Sequence, residues 1–304
     1  MKWNCRWLCL IAFAWLGSAC AVGPTSVQTS GQTSNPTLEQ TGVPSYEEMS
    51  SWTRSFLNQV LGGEEMPKGV NRWDCVPAAG RSHVVLMHGT FSSTMYSFGA
   101  LAPRLANQGY CVYAQDFGSH EPGVLFKATR GVDTSAREVS DFIDEVLQKT
   151  GSQKVDLIGH SQGGLLGFYY LKKLGGSKKV NRFVALAPSL RGTQIAKTPN
   201  RNDVSYCLAC ADQHPQSELI KDLHNTPVAM NGVKYSIVAT NKDLVVVPVD
   251  SQFLREPGVQ NILLQDYYPN NRSSHSGILY DEESLNLILK TLEGKTETLA
   301  RTIQ

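Results

Sequence analysis

The chain has 304 residues, 41% of them hydrophobic and 18% charged, with a formal net charge of +1 at pH 7. This is the composition of an ordinary soluble protein, with enough apolar residues for one sizeable core or two small ones. A near-zero net charge with scattered Lys and Arg excludes an electrostatic nucleic-acid binder.

The first residues, "MKWNCRWLCLIAFAWLGSACA", combine an early basic pair (Lys2, Arg6), an apolar run from Trp7 to Leu16 and a small-residue end. That layout reads as a signal peptide over residues 1–21, since the run is too short for a membrane span and "ACA" fits an A-x-A cleavage site. The chain is thus expected to be secreted or periplasmic. A lipoprotein anchored through Cys20 is the alternative, although Gly17 stands where a lipidation signal usually has a branched aliphatic residue. Removal of the leader takes Cys5, Cys9 and Cys20 and leaves Cys75, Cys111, Cys207 and Cys210. An even number in an exported chain suggests two disulfides, with three pairings open.

Residues 22–44, rich in Ser, Thr, Gln, Gly and Pro, read as a flexible tail that cannot bury enough apolar surface to offset ordering. At 45–63 a capping box from Ser45 to Glu48 predicts a helix with Met49, Trp52, Phe56 and Val60 on one face, ended by Gly62 and Gly63. This helix is expected to pack on the body and shows no chemistry of its own.

From residue 83 a rhythm of short apolar runs and helices begins. "HVVLM" (83–87), "YCVYA" (110–114), "KVDLI" (154–158), "VNRFVALA" (180–187), "KYSIVAT" (234–240) and "VQNILLQ" (259–265) read as strands. "FGALAPRLANQG" reads as most of a helix stopped by Gly109, and 133–151 as a helix whose inner face carries Ala136, Val139, Phe142, Ile143, Val146 and Leu147. A further helix runs to about Leu174, and "DEESLNLILKTL" closes the chain. The pattern predicts an α/β fold with a mainly parallel six-stranded sheet, helices on both faces, and a catalytic domain over 45–304. The 188–233 insertion sits where a small cap belongs. It is too polar for a large apolar lid, so interfacial activation is not inferred.

Chemistry is concentrated after the strand ends, where open parallel sheets build their sites. "GHSQG" (159–163) fits G-x-S-x-G: the glycines relieve crowding on a strand-to-helix turn and let Ser161 project its hydroxyl. The pattern alone is weak, but an apolar strand before it and a helix after it strengthen it. The α/β-hydrolase arrangement then requires an acid after the next-to-last strand and a histidine after the last. Those places hold Asp243, with Asp250 as its rival, and His275. An oxyanion needs two backbone N–H donors, expected at Gln162 and at Thr90 of "MHGTF" (87–91), with Phe91 the alternative to Thr90. No metal or organic cofactor is expected. Cys207, Cys210 and His214 offer three zinc ligands without an obvious fourth, and a redox C-x-x-C belongs at a strand-to-helix start rather than in an insertion.

Together "VVLMHGTFSSTMYSFGALAPRLANQGYCVYAQDFG", "GHSQGG", "ALAPSLRGT", "CLAC", "ATNKDLVVVP" and "HSGILYD" resemble the secreted bacterial class 2 lipases, over roughly residues 70–290. The resemblance implies carboxylic ester hydrolysis with Ser161, Asp243 and His275 as the triad. It also implies the pairings Cys75–Cys111 and Cys207–Cys210. "ATNKDLVVVP" departs from the family where an aromatic or Arg and an acidic residue commonly flank the Asp, which bears on the acyl-pocket wall. An ester or lipid is the expected partner, with contact at a lipid–water interface. Acyl transfer, polyester hydrolysis and a non-catalytic binding role on the same fold are the alternative readings.

Overall fold

The computed structural model describes residues 45–121 and 123–296. The proposed leader, the tail and Cys20 lie outside them.

The six apolar runs form one all-parallel sheet of β1 (His83–Met87), β2 (Cys111–Ala114), β3 (Val155–His160), β4 (Val180–Leu186), β5 (Lys234–Ala239) and β6 (Val259–Leu263). Their spatial order is β2-β1-β3-β4-β5-β6. The helices are α1 (Trp52–Val60), α2 (Thr94–Phe98), α3 (Leu101–Asn107), α4 (Val132–Thr150), α5 (Gln162–Lys173), α6 (Leu208–Asp212), α7 (Glu218–His224), α8 (Leu264–Tyr267) and α9 (Glu282–Glu293). Alternation along each strand sends successive side chains to opposite layers. Val85 and Met87 pack with α4 and α5, while Val84 and Leu86 pack with α3 and α9. Burial on both faces explains why the strands read as continuous apolar runs.

Three local expectations change. The first helix starts at Trp52, capped by the Ser51 hydroxyl, which accepts from the Arg54 N–H at 3.2 Å. The Ser45–Glu48 box is not used. Tyr46 N–H donates to Asn107 Oδ1 at 2.7 Å, and Glu48 takes Arg104 in a two-pronged pair at 2.7 to 3.1 Å. These tertiary bonds hold the segment out of the helix and outweigh a cap worth about 1 kcal/mol.

"FGALAPRLANQG" breaks into α2 and α3 around Gly99 and Ala100. Pro103 has no N–H, and its ring opposes the carbonyl four residues earlier, so the helix restarts with Pro103 in its first turn. A Cβ at Gly99 would stand 2.3 Å from Ser55 Oγ, so glycine lets α1 close on this break. The last strand also ends early, at Leu263, because Leu264–Tyr267 turn into α8.

The 188–233 insertion carries α6 and α7. Arg201 joins Asp133 of α4 to Asp212 of α6, each at 2.7 Å, and Asp212 also accepts the Val132 N–H at 2.8 Å. Among the described residues two disulfides are formed, Cys75–Cys111 at β2 and Cys207–Cys210 around the first turn of α6. With both sulfurs of the C-x-x-C bridged, neither is a thiolate for zinc.

Candidate active site

Ser161 stands between β3 and α5 with φ +56° and ψ −120°. A non-glycine residue held there stores roughly 1–3 kcal/mol of backbone strain. The neighbouring glycines make the turn sterically feasible: a Cβ at Gly159 would lie 2.4 Å from the Gly163 carbonyl oxygen, and one at Gly163 only 2.1 Å from that of Met87. The turn is braced from β4 and its following loop, since Ser161 N–H donates to the Leu186 carbonyl (2.9 Å) and Ser189 N–H to the Ser161 carbonyl (3.3 Å).

Because β1 pairs with β3, with Met87 opposite Gly159, the loop after β1 falls beside this serine. A Cβ at Gly89 would stand 3.0 Å from Ser161 Cβ and 3.4 Å from Oγ, so glycine is what admits the loop. Of the two donors expected from that loop, Phe91 spends its N–H on the Lys127 carbonyl at 3.0 Å. Thr90 N–H is not used in this way. Gln162 N–H opens α5, where first-turn N–H groups have no intrahelical partner. His88, fully buried, fixes the loop from behind: Nδ1–H donates to the Gly89 carbonyl (3.0 Å) and Nε2 accepts the Phe117 N–H (3.3 Å). Burial pushes its pKa down, which keeps this donor–acceptor pair neutral.

Asp243 follows β5, and His275 lies in the loop beyond β6 and α8. His275 Nδ1–H donates to Asp243 Oδ2 at 2.7 Å. Gln252 Nε2–H donates to the same oxygen at 2.9 Å, and the N–H groups of Val245 and Val246 donate to Oδ1 at 2.8 and 2.9 Å. Burial pushes the carboxyl pKa up, but the bond from His275 and the backbone donors win, and the net shift is downward. The carboxylate therefore stays ionised and holds Nδ1–H, which leaves the other ring nitrogen, Nε2, free of this bond. Thr240 Oγ1–H ties the two loops together by donating to the Ser273 carbonyl at 2.8 Å. Asp250 is elsewhere: it is exposed and paired with Arg255.

Ser161, His275 and Thr90 line one cavity of about 560 Å³. Ser161 and His275 face it without a hydrogen bond between them, a spacing that free enzymes commonly close only on binding substrate. A serine on a strained turn follows β3, an acid follows β5 and a histidine follows β6 of a six-stranded parallel sheet. The fold is that of the α/β hydrolases. The family model for this hydrolase fold matches residues 82–206. The gastric triacylglycerol lipase of Mus musculus is 29% identical over 143 residues, 42% of this chain and 36% of that protein. A triacylglycerol lipase of Pseudarthrobacter phenanthrenivorans is 31% identical over 97 residues, 30% of this chain and 28% of that one. The chain thus matches only about a third of the length of these relatives. Among solved hydrolases, Aspergillus fumigatus lipase B superposes with a TM-score of 0.59 at 21% identity, covering 75% of this chain and 55% of that one. Mature Bacillus licheniformis lipase BlEst2 gives 0.54 at 14% identity, covering 71% and 94%.

The structure adds residues that sequence reasoning passed over. Gln252, behind Asp243, has no sequence signal beyond lying nine places downstream. Trp52 lines the cavity, so α1, expected only to pack on the body, also supplies part of its wall. It stacks on Phe56 at 5.2 Å, and Phe56 on Phe126 at 6.4 Å. Val245 and Val246 also reach the cavity, so the "NKDLVVVP" departure supplies an aliphatic wall.

Proposed function

We propose that this chain hydrolyses carboxylic esters of apolar acids through an acyl-enzyme on Ser161. The observation that carries the reading is the Asp243–His275 hydrogen bond on the wall of the cavity that holds the Ser161 elbow. His275 Nε2 takes the Ser161 proton as Oγ attacks the ester carbonyl, and Asp243 stabilises the imidazolium and holds its tautomer. The N–H groups of Thr90 and Gln162 receive the oxyanion, reinforced by the N-terminal end of α5. His275 then protonates the departing alcohol. It next activates a water that releases the acid.

The cavity wall supports an apolar substrate met at a lipid–water interface. Phe91, Phe126, Ile195, Tyr206 and Val245 line it while remaining 39% to 72% exposed, an arrangement that costs less when apolar matter covers it. The lipase relatives support the same class of substrate, and the two disulfides accord with an oxidising compartment outside the cytosol. This is the compartment expected of secreted class 2 lipases.

The test is hydrolysis of p-nitrophenyl esters of increasing chain length, beside Ser161→Ala and His275→Ala. Activity in the parent that vanishes in folded variants is the expected result, and its chain-length optimum separates esterase from lipase. Undiminished turnover in either variant overturns the assignment.

A further inference from the structure

The insertion between β4 and β5 reaches the proposed oxyanion donors through one polar side chain. Gln213, immediately after α6, is 7% exposed, and Ser189 and Gln162 are fully buried. Ser189 Oγ–H donates to Gln213 Oε1 at 2.8 Å. Gln213 Nε2–H donates to Thr90 Oγ1 at 2.8 Å, and Thr90 Oγ1–H donates to Gln162 Oε1 at 2.7 Å. An amide nitrogen only donates, so Gln213 forces Thr90 to be the acceptor there and turns the Thr90 proton toward Gln162. Every link then runs in one direction.

The last two members of that relay, Thr90 and Gln162, are the two residues whose backbone N–H groups are proposed to receive the oxyanion. They belong to different loops, one after β1 and one after β3, and the Thr90–Gln162 bond is their side-chain tie. Gln213 itself is held rigidly. Its N–H donates to the Ala209 carbonyl (3.1 Å), its second amide hydrogen to the same carbonyl (3.0 Å), and its own carbonyl accepts the Thr193 N–H (2.9 Å). The approach is tight enough that a Cβ on Gly192 would lie 2.7 Å from the Gln213 carbonyl oxygen. The Cys207–Cys210 bridge closes the other end of α6.

We infer that Gln213 is a positioning residue of the cap: by orienting the Thr90 hydroxyl it fixes the spacing of the Thr90 and Gln162 N–H donors. This rests on the ester-hydrolase reading. It assigns the polar insertion a part in transition-state stabilisation, where a loose donor pair forfeits rate without weakening substrate binding.

The experiment measures kcat and KM on one p-nitrophenyl ester for Gln213→Met, Thr90→Val, Thr90→Ser and the Gln213→Met/Thr90→Val double variant. A second readout is the rate of covalent labelling of Ser161 by a p-nitrophenyl phosphonate, whose tetrahedral adduct needs the same donors. Gln213→Met and Thr90→Val are each expected to lose about tenfold in kcat and in labelling rate, with KM within about twofold. The double variant should lose no more than either single, because both break one relay. Thr90→Ser, which keeps the hydroxyl, should recover most of what Thr90→Val loses. Losses that multiply in the double variant, or that appear only in KM, overturn the positioning role. A parent that neither hydrolyses the ester nor takes up the phosphonate overturns the ester-hydrolase reading instead, so the two failures are distinct.

Discussion

His160 holds His275 by its backbone: the His160 Nε2–H donates to the His275 carbonyl at 2.9 Å, with the two rings 4.7 Å apart. The residue just before the proposed nucleophile therefore anchors the loop that carries the proposed base. Burial, followed by the neighbouring His275 ring, lowers the His160 pKa to about 3, so it remains a neutral donor over the working range.

That anchor predicts an acid limb in stability. The unfolded chain titrates His160 near 6.5 and the folded chain near 3, so the unfolded state binds more protons between those values. Stability falls as pH drops through about 6.5 toward 3, and the downward shifts of His88 and His224, both caused first by burial, act in the same direction. The depressed Asp243 carboxyl adds a further loss at the acid end, since its contribution disappears as it protonates. Thermal melts from pH 8 to pH 4 should show a falling midpoint, with a shallower slope for His160→Gln. Parallel curves for parent and variant would refute the assignment of this limb to His160.

Exchanging the two rival acids separates them. Asp243→Asn removes the charge opposite His275 and lets the amide favour the wrong tautomer, and kcat should drop by roughly 10³–10⁴. Asp250→Asn breaks only an exposed pair with Arg255 and should stay within about twofold of the parent. Gln252→Met, which removes one donor to Asp243 Oδ2, is expected to fall between them at about tenfold. Steady-state kinetics on the three variants decide it, and a larger loss in Asp250→Asn reverses the assignment of the acid.

Trp52 brings α1 to the wall of the cavity. Trp52→Ala strips an aromatic wall from the cavity, with its stack on Phe56 and its edge contact to Tyr96 at 5.6 Å. Loss of about 1.5–3 kcal/mol of apolar contact should raise KM for long-chain esters roughly tenfold or more. Short esters that do not reach the wall should respond by less than twofold. Equal effects at all chain lengths would mean that the helix supports the fold rather than the substrate.

The two disulfides should differ in worth. Cys75–Cys111 spans 36 positions and Cys207–Cys210 only 3. Chain-entropy reasoning assigns about 4 kcal/mol to the first and about 2 kcal/mol to the second. Denaturant unfolding of the two double Cys→Ser variants measures the difference. The smaller bridge is expected to show instead in catalysis, through α6 and Gln213, and equal stability losses with parental kcat would contradict this.

What the sequence determined by itself were the features written in local pattern. Six apolar runs with turn chemistry at their ends dictate a parallel sheet, because burial on both faces needs continuous apolar residues. Gly159 and Gly163 around Ser161 mark a turn that no bulkier residues tolerate, and chain order supplied Asp243 and His275 as the matching candidates. Tertiary structure decided what depends on distant segments meeting. Residues 45–51 stay out of the helix because Asn107 and Arg104 bind them more strongly than a capping box does. Phe91 drops out as a donor because Lys127 takes its N–H. Gln252, His160, Trp52 and Gln213 gain their places from contacts across 9, 115, 44 and 123 positions, to Asp243, His275, Tyr96 and Thr90. Polar and aromatic side chains of this kind follow no period along the chain. Their roles are set by direction and distance in space, which only the closed fold defines.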